Sequence, residues 1–249
     1  MAQTGKAKAT MQLDELVAQL QQVHGAALVG VVLYGSAASD EQVSGRSDLN
    51  VLVIVDALDM RTLQSLAQTA RAWQEAGNPP PLLLTQREWS GSADVFPMEY
   101  ADILERHRVL AGTLPLEGIL VRLSDLRLQV EQEALGKLLR LRRAVMTAGA
   151  DTARQRELLQ ASLSAMLVIF RSVLRLHGEQ PSRDAAMVIS RAAALCGFDA
   201  EPFARVNALR HGGAVPDGDV ASVLGAYVQG TELLVRYLDS HITLGEDDL

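Results

Sequence analysis

The sequence contains few residues that could cross-link the chain or build a soft-metal centre. Its 249 residues include one cysteine, Cys196, so an intrachain disulfide is impossible. The neighbouring residues Ala194, Leu195 and Phe198 are apolar, which indicates a buried thiol rather than a nucleophile. Paired His and Cys residues are missing as well, which argues against a zinc site.

Long apolar runs are also missing from the sequence. No window reaches the roughly 18 uninterrupted apolar residues of a membrane span. The lysines of the opening segment are not followed by the apolar stretch of a signal peptide. We therefore expect a cytoplasmic protein with no membrane partner. Because aromatic residues make up only 4% of the chain, its cores must consist largely of Leu, Val and Ala, which favours helices.

The negative charge is concentrated in the first half of the chain. The net charge is −7, of which residues 1–121 contribute −6. An acidic surface repels the phosphates of nucleic acids, so binding to extended nucleic acid is disfavoured. The same surface tolerates divalent cations or a cationic small molecule.

The hydrophobic pattern predicts two domains after a disordered lead at residues 1–11. Residues 12–120 alternate strands with helices, which favours an α/β or α+β core with a mixed sheet. Residues 121–249 show apolar residues at helical spacing, which predicts an all-α helical bundle domain. The predicted strands are 27–34, 48–55, 81–85, 96–103 and 108–111, and the predicted bundle helices are 123–148, 152–177, 183–195, 201–210 and 219–241.

The residues with the clearest chemical meaning lie between positions 33 and 55. Gly35 ends a predicted strand and permits both a tight turn and close approach of a ligand. Ser36 follows at the start of a short helical segment, where free N–H groups bind phosphate. Asp48 and Asn50 are two apart on the next strand, so both side chains point to one face and can share a metal ion. A phosphate cradle beside oxygen ligands is what a Mg²⁺-nucleoside triphosphate requires.

This order of features resembles the core of the nucleotidyltransferases of the DNA polymerase β superfamily, which includes minimal nucleotidyltransferases and aminoglycoside adenylyltransferases. The resemblance implies transfer of a nucleoside monophosphate from an NTP to a small-molecule or protein acceptor, with Mg²⁺ held by three carboxylates. It implies that Gly35, Ser36 and Ser47 bind the nucleotide, and that Asp48 and Asn50 are catalytic metal ligands. The second family aspartate is Asn50 here, and its amide oxygen brings no charge to the metal.

The family's third carboxylate is expected on a later strand. In the predicted strand 96–103, alternation places Glu99 and Ala101 on one face, opposite Met98, Tyr100 and Asp102. Glu99 is therefore our candidate for the third metal ligand, and we expect its strand to lie beside that of Asp48. The stretch is similar to the strand of aminoglycoside adenylyltransferases in which a glutamate is the catalytic base, and this resemblance implies the same role for Glu99. The alternatives are Asp94 and Asp102.

Two other hypotheses remain open. Because Asn50 lacks the charge of an aspartate, the chain is alternatively a non-catalytic nucleotidyltransferase-like module that senses a nucleotide or binds a protein. The spacing of Arg205 and His211 supports a third hypothesis, a helical ribonuclease-like C-terminal domain, although a cation at a helix C-terminus also explains His211. A basic run is either a solvated helix face or a triphosphate contact; it consists of Lys137, Arg140, Arg142 and Arg143.

Overall fold

The computed structural model describes residues 11–38 and 49–240, except for the side chain of Ser36. The chain falls into two compact units. The first lies within Met1–Val95 and Glu99–Leu120, and the second within Phe96–Met98 and Val121–Leu249.

A four-stranded mixed sheet forms the centre of the first unit. Its strands are β1 (Leu28–Tyr34), β2 (Asn50–Val55), β3 (Leu82–Thr85) and β4 (His107–Gly112). In the spatial order β3-β2-β1-β4, β1 pairs antiparallel with both β2 and β4, whereas β2 and β3 are parallel. The buried β1 and β2 are rich in Val and Leu, as expected for the centre of a sheet.

The two faces of the sheet pack against different helices. On one face, Leu33 and Val53 join Leu16 and Leu20 of α1 (Leu13–His24) in a buried core. Trp73 belongs to the same core and comes from α3 (Ala67–Glu75), which follows the short helix α2 (Met60–Ser65). Strand alternation directs Tyr34 and Asn50 to the opposite face.

The helices α4 (Gln86–Gly91) and α5 (Pro97–Glu105) follow β3 and hold a second, aromatic cluster. Trp89 and Tyr100 are stacked, with ring centroids 4.4 Å apart. The polar ends of both rings are satisfied, because Trp89 Nε1 donates to the Pro115 carbonyl and the Tyr100 hydroxyl donates to the Trp89 carbonyl, each at 2.6 Å. This cluster ties Tyr100 of α5 to α4 within the first unit.

The prediction of a strand at residues 96–103 was wrong, since this segment forms α5. Met98, Ala101 and Ile103 are buried while Glu99 is exposed, a pattern with helical rather than two-residue spacing. Pro97 occupies the first position of the helix, where its fixed φ is favourable and its missing N–H has no consequence. Consequently, the expected pairing of this segment with the strand of Asp48 does not exist.

Between residues 121 and 240, the second unit contains five helices. They are α6 (Leu123–Ala148), α7 (Thr152–Leu176), α8 (Ala185–Cys196), α9 (Glu201–Arg210) and α10 (Asp217–Ser240). Helix α7 has the length and apolar composition of a membrane span, but half of that apolar stretch is buried inside the protein, as in a core helix. Phe170 of α7 packs between Phe198 and Phe203, with ring centroids 5.3 Å away from each. The mixed sheet followed by a helical region confirms the predicted fold class.

Candidate functional site

The candidate site lies where β1 ends and β2 begins. Tyr34, the last residue of β1, is paired with Asn50, the first residue of β2, and with His107, the first residue of β4. Residues directly opposite each other on antiparallel strands direct their side chains to the same face. The three side chains therefore form a row on the face turned away from the α1 core.

Gly35 ends β1 with a backbone conformation that brings two polar groups close to it. Its φ is +77°, in the left-handed region that favours glycine. A Cβ atom at this position would lie 3.5 Å from Asn50 Nδ2 and 3.5 Å from Asp102 Oδ2. Those two atoms are therefore no more than 7.0 Å apart. The Gly35 N–H donates to the Arg106 carbonyl at 3.1 Å, which ties the turn to the end of α5.

Helix α5 contributes the acidic side chains of the site. Asp102 accepts a hydrogen bond from Arg106 Nη2 at 2.7 Å, and this partly buried ion pair compensates its charge. Glu99 lies one helical turn earlier and is exposed. Burial raises the pKa of the Tyr34 phenol, and the charges of Glu99 and Asp102 raise it further. The Tyr34 hydroxyl therefore stays protonated and can donate to an anionic or neutral acceptor.

The structure describes only part of the predicted site. Ser47 and Asp48 lie outside the described residues, and for Ser36 only the backbone is described, in a four-residue 3₁₀ turn (Gly35–Ala38). Asn50 begins β2, and Glu99 lies on a helix instead of a strand.

The sequence pattern favoured Glu99 over Asp102 as the third carboxylate. In the structure, Asp102 lies close to the Gly35 turn, with its Oδ2 atom 3.5 Å from the position of a Cβ atom at Gly35. The four-residue spacing between Asp102 and Arg106, typical of ion pairs on one helix face, was the available signal for a helix here. The other alternative, Asp94, is exposed and lies near Tyr100. Burial of Tyr100 and the charge of Asp94 raise the pKa of the Tyr100 phenol to about 12.

Among the described residues, the strands of the sheet add no third carboxylate. Strand β3, the parallel neighbour of β2, consists of Leu82–Thr85, with Leu83 opposite Val53 and Leu84 opposite Ile54. Strand β4 also has no acidic residue.

In the part of the chain that the structure describes, no group of three or more His, Cys, Asp or Glu side chains could hold a metal ion. Among the described residues, Asn50 and Asp102 are the side chains with oxygen atoms beside the Gly35 turn, and Arg106 compensates the charge of Asp102.

The other predicted features lie in the second unit. Arg142 forms an ion pair with Glu232 at 2.8 Å, while Arg140 and Arg143 line a shallow groove of about 440 Å³. Arg205 is bound to Asp219 at 2.9 Å, and His211 follows the last residue of α9. Arg205 therefore has a structural role in joining α9 to α10.

Neither a protein-family model nor a curated protein sequence matches the chain. Among solved structures, it is similar to spectinomycin adenyltransferase AAD(9) from Enterococcus faecialis, whose crystal structure contains ATP and spectinomycin. The similarity covers 91% of this chain and 98% of that chain, with a TM-score of 0.53 and 13% sequence identity. The chain thus has an adenylyltransferase-like fold, in which a mixed sheet is followed by a helical region.

Proposed function

We propose that the chain is a nucleotidyltransferase, which transfers a nucleoside monophosphate from a Mg²⁺-bound NTP to a small-molecule or protein acceptor. One observation carries the proposal: the Gly35 turn at the end of β1 lies beside Asn50 and Asp102. We expect the backbone N–H groups after Gly35 to bind phosphates, next to side-chain oxygens that bind a cation. In the sequence, Ser47 and Asp48 precede Asn50, with Leu49 between Asp48 and Asn50.

The proposed reaction is an in-line displacement at the α-phosphorus. An acceptor hydroxyl oxygen forms the new bond to phosphorus, the bond to the β-phosphate oxygen breaks, and pyrophosphate leaves. Glu99 receives the hydroxyl proton, because it is exposed and its charge acts on Tyr34 of the site, whereas Asp102 is held by Arg106. Mg²⁺, when bound by Asp48 and Asn50, supplies charge stabilisation to the triphosphate.

The non-catalytic module is the second candidate, and a specific observation favours it. Asn50 brings no charge, and the edge strand β3 places Leu83 and Leu84, rather than an acidic residue, opposite Val53 and Ile54 of β2. A module of this kind binds an NTP at the same turn but does not transfer a nucleoside monophosphate from it. The two candidates therefore share the binding step and differ only in turnover.

Turnover is tested with α-labelled ATP, Mg²⁺ and spectinomycin as the first acceptor, since the structural neighbour was crystallised with that compound. We expect label to appear on an acceptor together with an equal amount of pyrophosphate. Glu99→Gln should lower the rate by about 10²–10⁴-fold, the usual contribution of a general base. Glu105→Gln, at an exposed position of the same helix, is the matched control and should retain activity. Tight Mg²⁺-ATP binding without release of pyrophosphate from ATP, whether an acceptor or only water is present, would decide for the module.

A further inference from the structure

Helix α6 presents an exposed apolar stripe that its own unit does not cover. The stripe consists of Leu128, Leu135, Leu139 and Met146, which are 63%, 44%, 42% and 76% exposed. Their spacings are seven, four and seven residues. At about 100° of rotation per residue, all four side chains lie within roughly 20° of one line along the helix.

The stripe lies on the side of α6 opposite to its buried face. The buried residues Leu126, Val130, Ala134 and Leu138 recur at intervals of four and face the other helices of the unit. The stripe lies well over 100° away from the centre of that face. Single exposed apolar residues are common, whereas four of them aligned along one side of a helix indicate an interaction surface.

The arrangement of the stripe reads the same in both directions. Its spacing is symmetrical about position 137. A twofold axis beside this position therefore brings the stripe of one copy into register with the stripe of a second copy. Two antiparallel copies of α6 would then place Leu128 opposite Met146 of the second copy, and Leu135 opposite Leu139 of the second copy. A surface that complements itself in this way is what a twofold-symmetric dimer requires.

The charges beside the stripe select the antiparallel direction. Glu131 and Gln132 flank its N-terminal half, and Arg142 and Arg143 flank its C-terminal half. An antiparallel pair brings Glu131 next to Arg142 of the second copy, whereas a parallel pair brings arginine next to arginine. Within the chain, Glu131 is paired with Arg127 at 2.9 Å and Arg142 with Glu232 at 2.8 Å. Both ion pairs are partly exposed and contribute little free energy, so Glu131 and Arg142 can also interact with a second copy.

We propose that the protein forms a twofold-symmetric homodimer through the α6 stripe, with the two helices antiparallel. This inference is independent of the proposed function, since it uses only residues of the helical unit. With a length of about 39 Å, α6 provides one long helix–helix contact of the type found in antiparallel coiled coils.

The dimer is tested by light scattering after size exclusion. The wild-type chain of 26.9 kDa should elute with about twice that mass at micromolar concentration. Leu135→Glu and Met146→Glu should each shift the mass to that of the monomer, because each places a carboxylate in the contact. Met187→Glu is the matched control, since Met187 lies on α8 and is 60% exposed. A monomeric wild type, or a Met146→Glu variant that is as dimeric as the control, would overturn the proposal.

The direction of the helices is tested by cysteine cross-linking, for which the buried Cys196 gives little background. An equimolar mixture of Leu128→Cys and Met146→Cys proteins should form a disulfide-linked dimer under mild oxidation. Leu128→Cys alone should not, because in the antiparallel pair its two copies are about 27 Å apart along the helix. Cross-linking of Leu128→Cys with itself would contradict the antiparallel arrangement.

Discussion

The Asn50→Asp variant is expected to bind Mg²⁺-ATP at least tenfold more tightly than the wild type, while its affinity for ATP without Mg²⁺ falls. The side chains are nearly equal in size, so the change mainly adds one negative charge beside Gly35. At about 4 Å, two unit charges attract by roughly 1 kcal/mol even in bulk water, and a divalent ion doubles that value. A tenfold change in affinity corresponds to about 1.4 kcal/mol.

The same substitution should lower the thermal stability of the protein in the absence of Mg²⁺. The new carboxylate lies no more than 7.0 Å from Asp102, so the two charges repel each other until a cation is bound. Titration calorimetry and thermal unfolding, each with and without Mg²⁺, measure both effects. Asn207→Asp on α9 adds the same charge in the other unit. It should change neither the affinity for Mg²⁺-ATP nor the affinity for ATP without Mg²⁺. Weaker Mg²⁺-ATP binding by Asn50→Asp would mean that the Asn50 amide serves as a hydrogen-bond donor instead.

Gly30→Ala is expected to lower the free energy of unfolding by about 3 kcal/mol or more. A Cβ atom at Gly30 would lie 2.0 Å from the carbonyl oxygen of Thr113, so the backbone of a central strand must move. The pairing is tight on both sides, because a Cβ at Gly112 would lie 2.1 Å from the Val29 carbonyl oxygen. For a chain of this size, each kcal/mol corresponds to about 2–4 °C in Tm.

Gly91→Ala is the control for this effect. Gly91 ends α4 in the same unit, and no atom lies within 4 Å of a Cβ built there. Its substitution should change the free energy of unfolding by less than about 0.5 kcal/mol. Urea unfolding of both variants compares them directly, and equal midpoints would show that the β1–β4 edge adapts without strain.

The elements that could be predicted from the sequence are those with an unambiguous local pattern. Helix α6 has the predicted bounds, because apolar residues recur at helical spacing over 26 residues. Strand β1 was recognisable because a run of Leu, Val and Tyr ends at a glycine. In both cases the tertiary structure reinforces the local preference.

Helix α5 could not be predicted because its short sequence fits two periods. Nine residues with Met98, Tyr100 and Asp102 at alternate positions also match a strand. The deciding contacts are distant: Tyr100 stacks on Trp89, and the N–H of Met98 donates to Gln129 at 2.8 Å. The same limit applies to the site, since the approach of Asp102 to Gly35 depends on how α5 packs.

The apolar stripe of α6 illustrates a further limit of sequence patterns. The helix contains apolar residues on two of its sides, and composition does not distinguish the side that packs within the unit from the side that faces solvent. Only the packing identifies Leu126 and Val130 as buried and Leu128 and Leu135 as exposed. The symmetry of the exposed set becomes visible once the buried set is removed.

The central claim is that the end of β1 binds a Mg²⁺-bound nucleoside triphosphate, and titration calorimetry with a non-hydrolysable ATP analogue tests it most directly. We predict saturable binding in the presence of Mg²⁺ and at least tenfold weaker binding in excess EDTA. Analogue at about 100 times its Kd should also stabilise the protein by roughly 2.7 kcal/mol. Absence of binding by all four NTPs at millimolar concentration with Mg²⁺ would contradict both the transferase and the nucleotide-sensing module.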